Sequence, residues 1–138
     1  MKRLSKSLVR GQMAVSIQEY KKALISFEEA LSALKKPNLN ETERKLFRDA
    51  GIQRFEFCVE LAWKISKKHM GSASSAPKVV IREMAQAALI NDPEVWFGFL
   101  EARNLSSHSY DEEVAKKIQN IFNNFYTEAD LLLKNLLK

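Results

Sequence analysis

The sequence predicts an all-α protein: an antiparallel up-and-down four-helix bundle with one additional short helix. Three observations carry this reading. Apolar residues recur at alternating steps of three and four, the spacing of one face of a helix. Capping patterns divide the chain into five helical segments, and no stretch alternates as a strand does. Only four Gly and three Pro occur in 138 residues, few for a sheet protein with many tight turns. The length suits one domain, 1–138, because a single core typically serves roughly 100–200 residues.

The first segment, 16–34, places Ile17, Tyr20, Leu24, Phe27, Leu31 and Leu34 on one stripe. Lys35-Lys36-Pro37-Asn38 ends it, since Pro lacks an N–H and disfavours helix before it. Asn40 with Glu43 forms a capping box that opens the second helix, which runs to His69 or Met70 with Gly71 as its stop. Gln53, Glu56, Glu60, Lys64 and Lys67 make its polar arc. Ile52, Phe55, Val59, Ala62 and Trp63 lie on one side, and Cys58, Leu61 and Ile65 on another. A helix apolar over so wide an arc packs against more than one neighbour, and the excess suggests a homodimer. Arg54 falls inside the apolar arc, where it either meets a carboxylate or a second subunit, or snorkels to water.

After the loop Ser72-Ala73-Ser74-Ser75-Ala76, Pro77 opens the short helix, to Leu89, with Val80, Ile81, Met84 and Ala88 inward. Asn91-Asp92-Pro93 starts the next helix, with Val95, Trp96, Phe99 and Leu100 inward. Ser109-Tyr110-Asp111-Glu112 reads as another capping box. The last helix then runs to the C-terminus on Val114, Ile118, Ile121, Phe122, Phe125, Leu132 and Leu136.

Lys and Arg number 22 against 17 Asp and Glu, for a net charge of +5. That permits contact with RNA or nucleotides without demanding it. The excess sits at the front: Lys2, Arg3, Lys6, Arg10, Lys21 and Lys22 face only Glu19 up to residue 22. Such a run reads first as a solvated face. The basic start leads into no apolar stretch, so it is not a secretory signal. No run approaches the roughly 20 apolar residues that span a bilayer. The single cysteine, Cys58, allows no internal disulfide and no Cys-based zinc site. A cytoplasmic protein is the simplest reading, with no membrane contact and neither metal nor cofactor. The carboxylate pair Glu56 and Glu60 has no histidine beside it, and Glu60 with Lys64 reads as a surface ion pair. There is no Gly-rich phosphate loop, which argues against ATP turnover by this chain alone.

Two histidines are available. His69 falls at the predicted end of the second helix, where a cation suits the helix dipole, and its role reads as structural. His108 lies in Arg103-Asn104-Leu105-Ser106-Ser107-His108-Ser109-Tyr110, the densest polar cluster in the chain. On a continuous helix Arg103 and His108 would stand about 140° apart. A break near Ser106 or Ser107 would instead swing His108 back towards Arg103. Arg then holds a phosphate through its fork of donors, and His transfers a proton near neutral pH. From composition alone the cluster equally serves to cap a helix end. One His per chain is little equipment for a general acid and a general base, an objection that a two-fold dimer removes.

Gly51-Ile52-Gln53-Arg54-Phe55-Glu56-Phe57-Cys58-Val59-Glu60-Leu61-Ala62-Trp63-Lys64 resembles the second-helix signature of the nucleotidyltransferase substrate-binding protein family. Val80-Ile81-Arg82-Glu83, Ala88-Leu89-Ile90-Asn91-Asp92, Trp96 and the Arg103–Tyr110 block look like its later segments, in order. That family belongs to the HEPN superfamily and is similar to HepT toxins, encoded beside a minimal nucleotidyltransferase (MNT) antitoxin. The resemblance implies a HEPN-like helical bundle, a homodimer and a nucleotidyltransferase partner. It assigns Arg103 and His108 to a metal-independent RNA-cleaving site formed across the dimer. Asn104 matches the polar residue that orients the phosphate, and Tyr110 the tyrosine that the partner modifies with AMP. Three classes of function stand: a ribonuclease toxin, a non-catalytic nucleotide- or substrate-binding subunit whose chemistry lies in the partner, and a helical adaptor. The resemblance favours the nucleotidyltransferase-partner protein with a HEPN-type site.

Overall fold

A computed structural model describes residues 16–138, so the basic positions Lys2, Arg3, Lys6 and Arg10 lie outside the described residues. The elements are α1 (Ile17–Leu34), α2 (Glu41–Met70), α3 (Pro77–Gln86), α4 (Pro93–Leu105), a 3-10 turn (Ser106–His108), α5 (Glu112–Asn120) and α6 (Phe122–Leu136). Helices α1, α2, α4 and the α5–α6 pair are the four rods of the bundle, and α3 is the additional short helix. Among the described residues no helix is long and apolar enough to cross a membrane.

The ends of these helices follow local chemistry. Ser16 caps α1, its hydroxyl accepting from the Glu19 amide at 3.1 Å. Asn40 and Glu43 exchange both bonds of the capping box, at 2.8 and 3.0 Å. Gly71 closes α2 at φ 67°, left-handed backbone that glycine adopts without steric cost. Asp92 caps α4 ahead of Pro93.

Three expectations shift. The short helix stops at Gln86 rather than Leu89. Ala88 takes a left-handed φ of 59° and is exposed, and the reversal turns Leu89 and Ile90 into the core instead. The N-cap of α5 is Asp111, which accepts from the Glu113 amide at 2.9 Å, not Ser109. The Ser109 and Asp111 amides are spent on Ser106 and His108 carbonyls, so the helix cannot begin earlier. Finally, the last helix bends at Ile121, whose N–H reaches back only three residues to Ile118 at 3.1 Å. Asn120, Asn123 and Asn124 surround this step, and Asn competes with the helix for backbone bonds.

Helix α2 packs against all five other helices. Ile52, Phe55, Cys58, Val59, Leu61, Ala62, Trp63 and Ile65 are buried along it, on both of the arcs read from its sequence. Gly51 lets α6 approach, since a Cβ there would stand 2.7 Å from the Phe122 ring. Rings from four helices meet at the centre. Phe125 stacks edge-on to Phe27 at 5.6 Å, Phe55 at 4.8 Å and Phe99 at 5.1 Å, in the geometry that aromatic quadrupoles favour. Tyr20 is buried among them, and its hydroxyl donates to the Ala129 carbonyl at 2.7 Å. Burial first, then the nearby Cys58, pushes its phenol well above the usual range. Burial likewise pushes the Cys58 thiol up to about 12, leaving it an inert core group. On the outer side Tyr126 donates to Glu28 and so ties α6 to α1.

Arg54 meets a carboxylate, one of the partners its place on the apolar arc calls for, and the more deeply buried cation is Arg48. Arg54 is half-buried, donates to the Ser26 carbonyl at 2.7 Å and faces the Glu29 carboxylate at 3.7 Å. Arg48 is buried and forks onto Glu112, at 2.8 and 3.3 Å, while its Nη2 also meets Asp49 at 3.2 Å. The pair joins α2 to the first residue of α5.

Phe125→Ala removes the ring on which three helices converge and should cost about 3–5 kcal/mol of unfolding free energy, read from urea midpoints. The fork from Arg48 holds the Glu112 carboxyl below the usual range. A carboxylate depressed in the folded state contributes stability above its unfolded pKa, and this is lost as pH falls through the folded value. The drop in melting temperature between about pH 5 and pH 3 should therefore be smaller in Glu112→Gln than in the wild type.

Candidate functional site

The polar cluster forms where α4 ends. Leu105 is the last residue of α4, and the chain tightens into the 3-10 turn at 106–108. The Ser106 hydroxyl donates to the Arg103 carbonyl at 2.5 Å and satisfies one of the helix-end carbonyls. The Ser107 hydroxyl stands 3.5 Å from the Asn104 carbonyl. The expected break between Arg103 and His108 is thus present, and the serines cap the helix end.

The break does not join the two residues directly. Arg103, half-buried on the last turn of α4, has its Nε 2.9 Å from Oε1 of Glu60 on α2. That contact lies off the N–H direction, so it is an ion pair without an aligned hydrogen bond. Glu60 is shared: its other oxygen faces Lys64 Nζ at 3.4 Å, the i, i+4 pair read from the sequence. His108 is exposed, and its Nδ1 stands 3.5 Å from the Tyr110 hydroxyl, the outer limit of a hydrogen bond. The two rings meet edge-on at 6.0 Å. Tyr110 is 83% exposed and Asn104 is exposed. His69 lies exposed in the last turn of α2, beside Lys67 and Lys68.

Arg103 borders a groove of about 690 Å³ between α1 and α2. Lys22, Arg54, Glu56, Phe57 and Glu60 also line it. Phe57 is 60% exposed, an aromatic ring left in water beside the candidate site. Sequence reasoning misses two residues here. It assigns Glu60 only to Lys64, because nothing in local spacing brings α4 opposite α2. Phe57 falls between the polar arc of α2 and the arc of Cys58, Leu61 and Ile65, a position that periodicity leaves unassigned. Among the described residues no group of three or more His, Cys, Asp or Glu is placed to hold a metal ion.

This arrangement presents a guanidinium, an imidazole and a phenol at one helix end. The guanidinium suits a phosphate and the imidazole suits proton transfer. Comparison with known proteins agrees with a nucleotide-related role. The chain is 27% identical over 126 residues to a Haemophilus influenzae protein named "Probable ribonuclease HepT", covering 83% of this chain and 86% of that one. A solved Haemophilus influenzae structure, described as the fold of a substrate binding domain of a nucleotidyltransferase, superposes with a TM-score of 0.82. It covers 89% of this chain and 100% of its own at 24% identity, a likeness of fold. A crystal structure from Thermus thermophilus superposes with a TM-score of 0.73 at 26% identity, over 86% of this chain and 99% of its own. Residues 15–138 match the family described as "Nucleotidyltransferase substrate binding protein like", and to that family this chain belongs.

Proposed function

We propose that this chain, as a single HEPN-like domain, is the substrate-binding partner of a minimal nucleotidyltransferase and carries a metal-independent ribonuclease site of Arg103 and His108. The observation that carries the reading is the Arg-x4-His-x-Tyr block at the end of α4, with His108 and Tyr110 exposed side by side. The relative named as a probable ribonuclease supports it.

In this mechanism the ribose 2′-hydroxyl of a bound RNA attacks the adjacent phosphorus. His108 takes the hydroxyl proton, the P–O5′ bond breaks, and the departing 5′-oxygen takes a proton from a second group. The products are a 2′,3′-cyclic phosphate and a 5′-hydroxyl. Arg103 stabilises the negative charge that builds on the phosphate oxygens, and Asn104 orients them. A single chain offers one such imidazole, so the second proton donor is the His108 of another copy in a homodimer. Phe57, exposed beside Arg103, marks the face on which that copy docks. Tyr110 is the acceptor on which the partner places AMP: its phenol oxygen attacks the α-phosphorus of ATP and pyrophosphate leaves. The modified tyrosine stands against His108 and blocks the site. The whole system works in the cytoplasm.

A second reading has its own support. A structural relative is described as a substrate binding domain of a nucleotidyltransferase, and Arg103 already shares a carboxylate within the chain. In that reading the site holds a nucleotide phosphate and the partner does the chemistry.

Purified protein whose intact mass shows unmodified Tyr110 should cleave single-stranded RNA in EDTA. His108→Ala should slow cleavage by about 10²–10⁴-fold with the fold intact. Wild-type protein that binds nucleotide but leaves every RNA whole would select the second reading. Light scattering should give a dimer, and Phe57→Asp should shift it to monomer and lower cleavage in step; a monomeric wild type would remove the shared site.

A further inference from the structure

Among the described residues the Arg103 side chain is restrained at one point only. Its Nε is shielded from water and lies 2.9 Å from the Glu60 carboxylate, while no other described residue engages its two terminal nitrogens. Glu60 is itself anchored. It sits beyond mid-length on α2, the helix that packs against every other one, and its second oxygen faces Lys64 at 3.4 Å. The restraint therefore runs from the most embedded element of the bundle to the last turn of α4.

We propose that Glu60 is a positioning residue: it holds the Arg103 guanidinium by its Nε at the mouth of the α1–α2 groove and leaves the two terminal nitrogens for an RNA phosphate. This rests on the ribonuclease reading of the same site. Two physical arguments favour it. An arginine on a terminal helical turn has many rotamers, and a guanidinium fixed before substrate arrives loses less freedom in the transition state. A carboxylate beside a phosphate-binding cation would ordinarily cancel the charge it needs. Here two cations, Lys64 and Arg103, share one anion, so the group as a whole stays positive. The misaligned contact also leaves the Nε–H unspent, which makes the grip electrostatic and keeps the fork of donors intact.

The proposal concerns orientation for the transition state rather than capture of RNA. Glu60→Gln should therefore lower kcat on a single-stranded RNA oligonucleotide by about 10–100-fold, with KM within about twofold. Glu60→Asp, which keeps the charge on a shorter arm, should recover part of the loss. The second readout does not depend on activity. In a ¹H–¹⁵N spectrum Glu60→Gln should shift the Arg103 Nε–H resonance and raise the mobility of its side chain, because the charge that restrains it is gone. Arg103→Ala is measured alongside. Cleavage lost in Arg103→Ala but unchanged or faster in Glu60→Gln would overturn the assignment of Glu60 alone, as would a lower melting temperature with kcat retained. A wild type that does not cleave RNA, or an Arg103→Ala variant as active as the wild type, would overturn the ribonuclease reading and this inference with it.

Discussion

Helix α2 must bury a wide arc of its surface against several neighbours, and the rest of the fold is arranged to let it. It is 30 residues long, about 45 Å, and meets each of the other five helices. A helix in that position cannot bury only one narrow apolar stripe. It needs apolar side chains on two arcs, a glycine where α6 comes close, and partners for each cation that the packing encloses. The sequence of α2 meets all three demands: Phe55 and Val59 on one arc and Cys58 and Ile65 on the other, Gly51 under the Phe122 ring, and Arg48 forked onto Glu112. The aromatic cluster around Phe125 follows from this, since α1, α4 and α6 converge on the apolar side of α2.

The same helix sets the position of the polar cluster. Two ion pairs lead from α2 to this part of the chain, one from Arg48 to Glu112 and one from Glu60 to Arg103. Along α2 these anchors stand about 18 Å apart at 1.5 Å per residue. Along the chain they bracket the segment 103–112, which holds Asn104, His108 and Tyr110. The segment is thus tied at both ends to the most embedded element in the molecule, while its middle faces water. That division suits a reactive site: chemistry needs side chains open to a ligand, and accuracy needs the backbone beneath them to stay still. The 3-10 turn and the serine hydroxyls close the remaining backbone bonds of the segment locally, so its exposure leaves few unsatisfied carbonyls.

What was legible in the sequence divides along the range of the interaction. Caps are decided within four residues, and Asn40 with Glu43, Gly71 and Asp92 with Pro93 all act as read. Burial on α1, α2 and α4 follows from helical period, which is also local. The departures come where two local signals compete or where the partner is remote. Ser109 and Asp111 both offer a cap for α5, and backbone bonds of the 3-10 turn decide for Asp111. Arg48 and Arg54 both sit on apolar stripes of α2, the first in line with Ile52, Phe55 and Val59, the second with Cys58, Leu61 and Ile65. Periodicity alone ranks them equally. The start of α5 lies opposite the first and encloses it, while the second falls at the edge of α1 and keeps contact with water. The block Arg103 to Tyr110 was visible as a motif, yet its geometry was not: the link from Arg103 to Glu60 spans 43 positions, and no spacing rule reaches that far.

The proposed chemistry follows from what one chain holds and what it lacks. Within the chain Arg103 engages Glu60 and His108 approaches Tyr110, so the cation and the proton carrier face different neighbours. Cleavage by 2′-hydroxyl attack needs a base and an acid on opposite sides of one phosphorus, with a cation between them. A lone imidazole at an exposed turn does not meet that geometry. In the proposed mechanism two copies of the segment, related by a two-fold axis through the face that carries Phe57, would bring two imidazoles and two guanidiniums to one cleft. On this view the wide apolar arc of α2 acts twice. It gathers the helices of one chain around its buried sides, and at Phe57 it leaves one ring to a second chain, without which the active site is only half assembled.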